Sequence, residues 1–600
     1  MHIIGIDLGT TNCGVASTPR ESESAVELFA IPQLTNPGEV TPEPLLESSL
    51  YLARAGEFPE HSLDLPWREG NNLIVGRLAQ KRGVEAGGRL VTSAKSWLCH
   101  TGAERTSPIL PVAAPEGAPR VSPVEASRLY LDHIRCAWNH EHEDAPLEQQ
   151  RVVLTVPASF DAVARELTQR AAEEAGYKDL TLLEEPQAAF YAWIERHPDW
   201  REQVTAGDLV LVVDVGGGTT DFTLIAITNR NGELQLDRVA VGEHLLLGGD
   251  NMDLALAHTV AAGLAAKGTK LDTMQMHALW QQCRGAKERL LLNPDAKDEP
   301  VTILGRGAGL VGGTIKARIS RKEMDALLVD GFFPRVSSND MPQRQRRAGL
   351  IEVGLPYEPD AAITRHMARF LRQQASRAEH GSVRRGPSGL ASPTHVLFNG
   401  GVFRAGMLRE RVLEVLNSWL QEEGLPPAKA LTGDDLMHAV ARGAAYYGRA
   451  REGKGVRIRG GVARTYYIGI ESAMPAVPGL PAPLKALTVA PFGMEEGTDS
   501  PVPAGEFGLI VGEPAEFRFF ASAARKNDSI GAMLDEVTEE LEELAPMQVT
   551  LPVEGEGPRT VRVTLETVVT ETGVLELWCV ARDGRRWKLE FQVREKPHAA

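Results

Sequence analysis

The chain has 600 residues, 43% hydrophobic and 24% charged, an ordinary composition for a globular protein of several domains. Its formal net charge of −16 argues against nucleic acid or an anionic membrane surface as the main partner. Its five cysteines are far apart, which argues against a zinc site or a disulfide framework. With no signal-like start and no long apolar run, we expect a cytoplasmic protein.

The first predicted element is a buried strand over residues 2–7 that ends in Asp7 and a turn of small residues. A triphosphate needs backbone N–H groups close by, and Gly9 permits that approach. The hydroxyls of Thr10 and Thr11 could donate to phosphate oxygens, and Asp7 could hold Mg²⁺ through water. A plain hairpin turn has the same composition, so this motif alone is weak.

Two charged residues in the next part of the chain are candidates for assisting phosphate chemistry. Lys95 could neutralise a γ-phosphate, although most lysines are simply solvated. Glu185 follows an apolar run over residues 180–183 and precedes a proline, so it could orient an attacking water. A solvent-facing pair of Glu184 and Glu185 is the alternative interpretation.

The strand–aspartate–turn–strand pattern then occurs a second time. A buried strand over residues 209–213 ends in Asp214, three glycines follow at 216–218, and Thr219 and Thr220 precede the returning strand. A repeated hairpin of this kind predicts a duplicated α/β unit with a ligand held between its halves. Two further glycine turns, at 248–249 and 400–401, are weak alone but fit a sheet-based nucleotide site.

Beyond about residue 452 the sequence changes character. Residues 453–461 are rich in glycine and basic residues and are typical of a linker. Strand-like runs follow at 516–521, 547–551, 560–565, 575–581 and 587–593, separated by turn residues. Residues 528–544 have helical spacing of apolar residues between these runs, which leaves their structure ambiguous.

Five segments, in order over about residues 1–450, resemble the nucleotide-binding domain of the 70-kDa heat-shock protein family (DnaK-type). They are the first phosphate motif at Gly5–Asn12, the connecting motif at Thr155–Ala158 with Glu185–Pro186, the second phosphate motif at Asp214–Asp221, the adenosine motif at Asn399–Gly401, and the second connecting motif at Gly443–Ala445. Residues 467–471 resemble the start of the family's substrate-binding β domain.

The resemblance implies an α/β fold, with an actin-like two-lobed ATPase domain followed by a mostly-β C-terminal domain. The implied boundaries are 1–450 for the nucleotide-binding domain, 451–463 for the linker and 464–595 for a β-rich domain that lacks the family's helical lid. The family's apolar-acidic linker is not visible, so we expect weak coupling between nucleotide and β domain.

The resemblance also implies roles for single residues. Lys95, Glu185, Asp214 and Thr219 would assist hydrolysis, and Asp7 and Asp214 would surround Mg²⁺. The implied nucleotide contacts are Gly9, Thr10, Thr11, Asn12, Gly216, Gly217, Gly218, Thr220, Gly248, Gly249, Lys287, Gly400 and Gly401. Pro157 and Arg165 match positions that relay nucleotide state. Near Lys287, Glu288 and Leu291 replace the family's basic and serine residues.

The implied function is that of a chaperone that binds and hydrolyses ATP, with ATP/ADP and Mg²⁺ as ligands. Unfolded polypeptide or a specific protein would be the partner, with a J-type cochaperone and an exchange factor as further candidates. Two alternatives stay open. One is a small-molecule kinase of the same superfold, and the other is a binding protein whose nucleotide site only switches shape.

Overall fold

The computed structural model describes most of residues 1–589. The segments outside the description are 22–24, 71, 86–87, 101, 113, 231–232, 306–313, 344–354, 374–383, 432, 434, 453–457, 460–461, 463, 473–482, 495–497, 523, 545–546, 551–558 and 571–574. Much of the expected linker, and the end of the last strand-like run, therefore lie outside the described residues. Within them, no helix combines the length and the apolar character that crossing a membrane requires.

The amino-terminal third of the chain forms an α/β lobe. Its strands are β1 (His2–Leu8), β2 (Asn12–Pro19), β3 (Glu27–Leu28), β4 (Ile31–Asn36), β5 (Glu39–Glu43), β6 (Leu46–Glu47), β7 (Leu50–Leu52), β8 (Leu73–Val75), β9 (Leu90–Val91), β10 (Arg151–Val156) and β11 (Asp179–Glu184). Its helices are α1 (Arg77–Glu85), α2 (Ala94–Cys99), α3 (Pro123–Glu141), α4 (Ala162–Glu174), α5 (Glu185–Arg196) and α6 (Trp200–Gln203). The main sheet has the order β11-β10-β1-β2-β3.

The middle of the chain forms a second lobe of the same design. Its strands are β12 (Leu209–Val215), β13 (Thr220–Arg230), β14 (Glu233–Val241), β15 (Asp298–Leu304), β16 (Thr314–Ser320), β17 (His395–Asn399), β18 (Lys429–Leu431) and β19 (Ile458–Arg459). Its helices are α7 (Gly249–Ala266), α8 (Thr273–Leu292), α9 (Arg321–Met324), α10 (Asp330–Phe332), α11 (Ile363–Gln373), α12 (Gly406–Glu422) and α13 (Ala439–Arg451).

The two main sheets share one topology. The second has the order β18-β17-β12-β13-β14-β19, and in both sheets a central strand pairs in parallel on one side and with its own hairpin partner on the other. Strands β1 and β12 read as near-continuous apolar runs because both faces of each sheet are covered. The duplicated unit predicted from the repeated hairpin, and the two-lobed actin-like fold, are confirmed.

Two helices, α5 and α13, cross between the lobes. The crossing is so close that a Cβ added at Gly443 would lie 1.7 Å from the carbonyl oxygen of Ala188. On its other side α13 lies on β1, where a Cβ at Gly5 would lie 2.2 Å from the carbonyl oxygen of Ala441. Glycine is therefore required at both positions by the approach of two backbones.

The carboxyl-terminal part is mostly β, as predicted. Its strands are β20 (Thr465–Glu471), β21 (Leu484–Ala490), β22 (Thr498–Pro501), β23 (Phe507–Val511), β24 (Pro514–Phe517), β25 (Phe519–Ser522), β26 (Met533–Leu534), β27 (Glu542–Glu543), β28 (Met547–Thr550), β29 (Arg559–Val569), β30 (Leu575–Ala581) and β31 (Arg586–Leu589). The run predicted at 516–521 is two strands, β24 and β25. Residues 528–544 form no helix, because β26 and β27 pair with the edges of β21 and β25.

This β region contacts both lobes. Tyr466 and Ile468 of β20 share one apolar cluster with Val163 and Leu167 of α4. Strand β19, which falls inside the expected linker, pairs in parallel with β14 as an added edge strand of the second sheet. The altered linker sequence therefore still forms a backbone connection to the second lobe.

Candidate active site

The two predicted phosphate turns lie against each other in the cleft, the region where the two lobes meet. A Cβ added at Gly217 would lie 2.0 Å from Oγ1 of Thr11, and one at Gly218 would lie 2.8 Å from Cγ2 of Thr10. The turns belong to separate hairpins, β1–β2 and β12–β13, that are far apart in sequence. The fold thus brings together the two halves of the predicted site.

Both turns present hydrogen-bonding groups to the cleft. Within the described part of the chain, the amides of Thr10, Thr11, Gly217 and Gly218 have no protein acceptor. The hydroxyl of Thr11 is buried and also has no partner there. A ring of unused donors around a cleft is suited to an anionic ligand such as a polyphosphate.

A charged cluster lies at the base of the cleft. Lys95 of α2 forms an ion pair with Glu185, the first residue of α5, and both are largely buried. Burial, and then the charge of Glu185, raise the pKa of Asp7 to about 7 and that of Asp214 to about 8. Burial opposes the charged form of Lys95, but Glu185 and Asp7 outweigh it, so its pKa is raised. The cluster therefore has more carboxylates than cations.

Two neighbours that the sequence analysis did not assign hold the aspartates in place. Thr155 at the end of β10 donates to Asp7 over 3.4 Å. Asn399 at the end of β17 donates to Asp214 over 2.7 Å, while its own amide oxygen is buried without a partner among the described residues. Both lie at the register positions directly beside the aspartates in parallel strands, which pattern matching along one chain does not reveal.

The donor set fits Mg²⁺ bound through water rather than a direct protein cage. Among the described residues, no three histidine, cysteine, aspartate or glutamate side chains stand close enough together to enclose a metal ion. Mg²⁺ usually keeps several waters and uses one or two carboxylates together with phosphate oxygens. Asp7, Asp214 and the unpaired amide oxygen of Asn399 supply polar groups for such a shell.

The third glycine turn supports the second phosphate turn instead of offering its own amides. The amide of Gly249 donates to the carbonyl of Gly216 over 3.0 Å, and that of Gly248 to the side chain of Asn251 over 2.9 Å. The close approach of this turn explains its glycines, because a Cβ at Gly248 would lie 2.6 Å from the carbonyl oxygen of Gly217. Gly248 and Gly249 therefore pack against the second phosphate turn and support its position.

Lys287 on α8 is engaged by a neighbouring helix. Its amine lies 2.8 Å from Asp253 on α7 and donates to the carbonyl of Gly249 over 3.1 Å. Arg284, one turn earlier, contacts Asp250 and Asp253. The predicted nucleotide-contacting lysine thus stands beside the third turn, already paired with a carboxylate that the sequence analysis did not identify.

The remaining predicted contacts occupy different positions. Gly400 has φ +88°, and a Cβ there would lie 2.7 Å from Oδ1 of Asp214, so the adenosine-type turn adjoins the charged cluster. Thr220 is fully buried and donates to the carbonyl of Leu247, which directs its hydroxyl away from the cleft. Asn12 and Thr219 flank the two turns.

Glu184 is not solvent-facing, which corrects the alternative interpretation of the Glu184–Glu185 pair. It is buried between Arg165 of α4, at 2.7 Å, and Arg238 of β14. Burial opposes ionisation, but the two guanidinium groups outweigh it and lower the pKa of Glu184. The resemblance implies a relay role for Arg165, and Glu184 joins Arg165 of the first lobe to Arg238 of the second.

Sequence comparisons identify the proteins that the chain is similar to. The family model for Hsp70 protein matches residues 111–339. A chaperone protein HscA homolog from Pseudomonas putida is 33% identical over 294 residues, covering 48% of this chain and 42% of that protein. A homolog from Pseudomonas fluorescens is 35% identical over 216 residues, covering 34% and 29%. One from Burkholderia pseudomallei is 34% identical over 178 residues, covering 29% and 26%.

The matched stretch spans less than half the length of each of these relatives. The family-model match over residues 111–339 includes the connecting segment, the second phosphate-type turn and the helices behind it. Together with the duplicated sheet topology and the facing turns, these matches show that this part of the chain is similar to the 70-kDa heat-shock protein family.

Proposed function

We propose that the chain is an ATP-dependent chaperone that binds and hydrolyses ATP with Mg²⁺ between its two lobes. Residues 1–450 would form the nucleotide-binding domain, 451–463 the linker, and 464–595 a β-rich domain that binds polypeptide or a specific protein partner. A cytoplasmic location, a J-type cochaperone and an exchange factor belong to the same proposal.

One observation supports the proposed ATP site most directly. Two turns from duplicated hairpins meet at Gly217 and Thr11 above a buried cluster in which Asp7 and Asp214 both have raised pKa values. Such a cluster is stabilised by added positive charge, while the turns above it offer donors to anions. A triphosphate bound with a divalent cation satisfies both requirements.

Different residues of the site have different roles in hydrolysis. The turn amides and the hydroxyls of Thr10 and Thr11 hold phosphate oxygens, and Lys95 stabilises negative charge on the γ-phosphate. Glu185 orients the attacking water and accepts its hydrogen bond. Bound Mg²⁺ would neutralise charge on the phosphate oxygens. The water oxygen forms a bond to γ-phosphorus while the bond from γ-phosphorus to the bridging oxygen breaks, and ADP and inorganic phosphate leave.

The β region is positioned to respond to hydrolysis. Its first strand, β20, packs against α4, which carries Arg165 and so contacts the buried Glu184. The pairing of β19 with β14 connects the same region to the second lobe. A change in the angle between the lobes would therefore reach the β sheets through two contacts.

The experiment is steady-state ATP turnover by the full chain, with and without an unfolded polypeptide. We expect slow Mg²⁺-dependent release of inorganic phosphate that the polypeptide accelerates. A phosphorylated metabolite as product would instead indicate a kinase. Tight ATP binding with no turnover under any condition would indicate a nucleotide-switched binding protein.

A further inference from the structure

A buried serine contacts the first phosphate turn and has no part in the proposed hydrolysis. Ser48 lies in the loop between β6 and β7, and only 3% of its surface is exposed. Its hydroxyl donates to the carbonyl of Gly9 over 2.7 Å, and its own amide donates to the carbonyl of Thr11 over 2.9 Å. One residue therefore holds two carbonyl groups of the turn.

The direction of a carbonyl group fixes the direction of the amide that follows it. In a trans peptide the C=O and N–H groups point in opposite directions. The peptide between Gly9 and Thr10 is trans, and the hydroxyl of Ser48 holds its carbonyl. The amide of Thr10 therefore points away from Ser48, and no acceptor for it is present among the described residues. An amide held in this direction is available to an anion in the cleft.

The second phosphate turn is held in a similar way, but by backbone groups alone. The amides of Gly249 and Asp250 donate to the carbonyls of Gly216 and Gly217 over 3.0 and 2.7 Å. The amides one position later in that turn are two of the unused donors of the cleft. Both turns thus have donors that hold their carbonyls, but only the first turn uses a side-chain donor, the hydroxyl of Ser48.

A neighbouring thiol extends this hydrogen-bonded chain. Sγ of Cys13, on β2, lies 3.3 Å from Oγ of Ser48. A serine hydroxyl has one proton, and that of Ser48 is directed to Gly9, so the thiol is the donor in this contact. Burial raises the pKa of the Cys13 thiol to about 12, so the thiol keeps its proton near neutral pH. Hydrogen bonds in a chain polarise one another, and the thiol therefore strengthens the bond from Ser48 to Gly9.

We propose that Ser48 is a positioning residue that orients the first phosphate turn for the phosphate groups of the nucleotide, acting through the carbonyl of Gly9 on the amide of Thr10. The inference rests on the proposed nucleotide site. Ser48 contacts neither the ligand nor the reacting atoms. Because residue 9 is a glycine, the peptide that follows it can rotate once its carbonyl is no longer held. Loss of the hydroxyl should therefore weaken the binding of phosphate groups and leave the binding of the nucleoside unchanged.

Ser49 provides a matched control. It is the next residue, is 4% exposed, and donates its hydroxyl to the side chain of Gln80 on α1 over 2.9 Å. Ser48→Ala and Ser49→Ala each remove one buried hydroxyl with one hydrogen bond of similar length, so we expect them to lower stability by similar amounts. Of these two hydroxyl hydrogen bonds, only that of Ser48 reaches the phosphate turn.

The test measures the dissociation constants of ATP with Mg²⁺ and of adenosine for the full chain, together with urea-induced unfolding. In Ser48→Ala we expect ATP to bind about 5-fold more weakly, the effect of losing about one hydrogen bond, while adenosine binding stays within about 2-fold. In Ser49→Ala both dissociation constants should stay within about 2-fold of those of the unsubstituted protein. Ser48→Thr, which keeps the hydroxyl, should bind ATP like the unsubstituted protein.

Three results would overturn the positioning role while leaving the proposed nucleotide site intact. The first is equal ATP affinity in Ser48→Ala and Ser49→Ala. The second is an equal loss of ATP and adenosine affinity in Ser48→Ala, which would indicate general loosening of the lobe. The third is a Ser48→Thr protein with an unchanged unfolding midpoint that binds ATP as weakly as Ser48→Ala. Failure of the unsubstituted protein to bind ATP is a different outcome, and it would refute the nucleotide site and the positioning role together.

Discussion

Replacing Gly443 by alanine tests whether the helix crossing positions the active site. The added methyl group would lie 1.7 Å from the carbonyl oxygen of Ala188 and 2.9 Å from the amide nitrogen of Ala192. Carbon and oxygen normally approach no closer than about 3.3 Å. Because both groups are backbone, no side-chain rotation relieves the overlap, and α5 and α13 must separate by about 1.5 Å at this point.

Two opposing contributions determine how Gly443→Ala changes the free energy of unfolding. Overpacking of this kind costs about 3 kcal/mol, and alanine in a helix interior regains about 1 kcal/mol relative to glycine. The free energy of unfolding should therefore fall by about 2 kcal/mol. Since Glu185 is the first residue of α5, the shift also moves it relative to Asp7, and a displacement near 1 Å can slow catalysis about 10²-fold.

The assay is urea-induced unfolding together with ATP turnover, with Gly263→Ala as the matched control. Gly263 also lies inside a helix, α7, but nothing lies within 4 Å of the position its Cβ would take. The control should gain up to about 1 kcal/mol of stability and keep its turnover. If Gly443→Ala behaved like Gly263→Ala in both measurements, the close crossing and its link to the site would be refuted.

Three further predictions concern single side chains. Glu184→Gln removes the buried negative charge that Arg165 and Arg238 share, so the free energy of unfolding measured in urea should fall by about 3–5 kcal/mol, and an unchanged midpoint would contradict this. Burial lowers the pKa of His133 to about 4, so the unfolded state binds the extra proton as pH falls from about 6.5 toward 4. Stability should drop in that window by up to about 1.4 kcal/mol per pH unit from this group, and His133→Gln should reduce the slope of the unfolding midpoint against pH. Glu185→Ala should slow ATP turnover by about 10²–10⁴-fold with nearly unchanged ATP binding in a fluorescence titration, whereas loss of binding would mark the residue as structural.

The repeated hairpin was the most informative feature of the sequence. The pattern of a strand, an aspartate and a turn of small residues is local, so it could be predicted from the sequence. Asp7 and Asp214 do lie near the ends of β1 and β12. The spacing of Lys95 and Glu185 carried no such information. Their pairing depends on where α2 and α5 begin relative to the first sheet, which only tertiary structure determines.

Residues 528–544 show where a local sequence pattern fails to predict the structure. Their apolar spacing favoured a helix, but each short stretch is taken up as an edge strand by an existing sheet. Pairing of backbone groups with a formed edge outweighs a weak local preference. Thr155 and Asn399 lie in motifs that the sequence analysis named, but their contacts with the aspartates, like that of Asp253 with Lys287, were not predicted, because each contact joins strands or helices that are distant along the chain.

The most direct test of the central claim is ATP turnover as a function of Mg²⁺ concentration in Asp214→Asn. Asp208→Asn, at the opposite end of strand β12, is the control. We expect Mg²⁺-dependent turnover in the unsubstituted protein and in the control, and a large loss with a shift to higher Mg²⁺ demand in Asp214→Asn, because a charge near the metal shell is removed. Turnover that is equal in all three proteins, or independent of Mg²⁺, would contradict a nucleotide and metal site between the two turns.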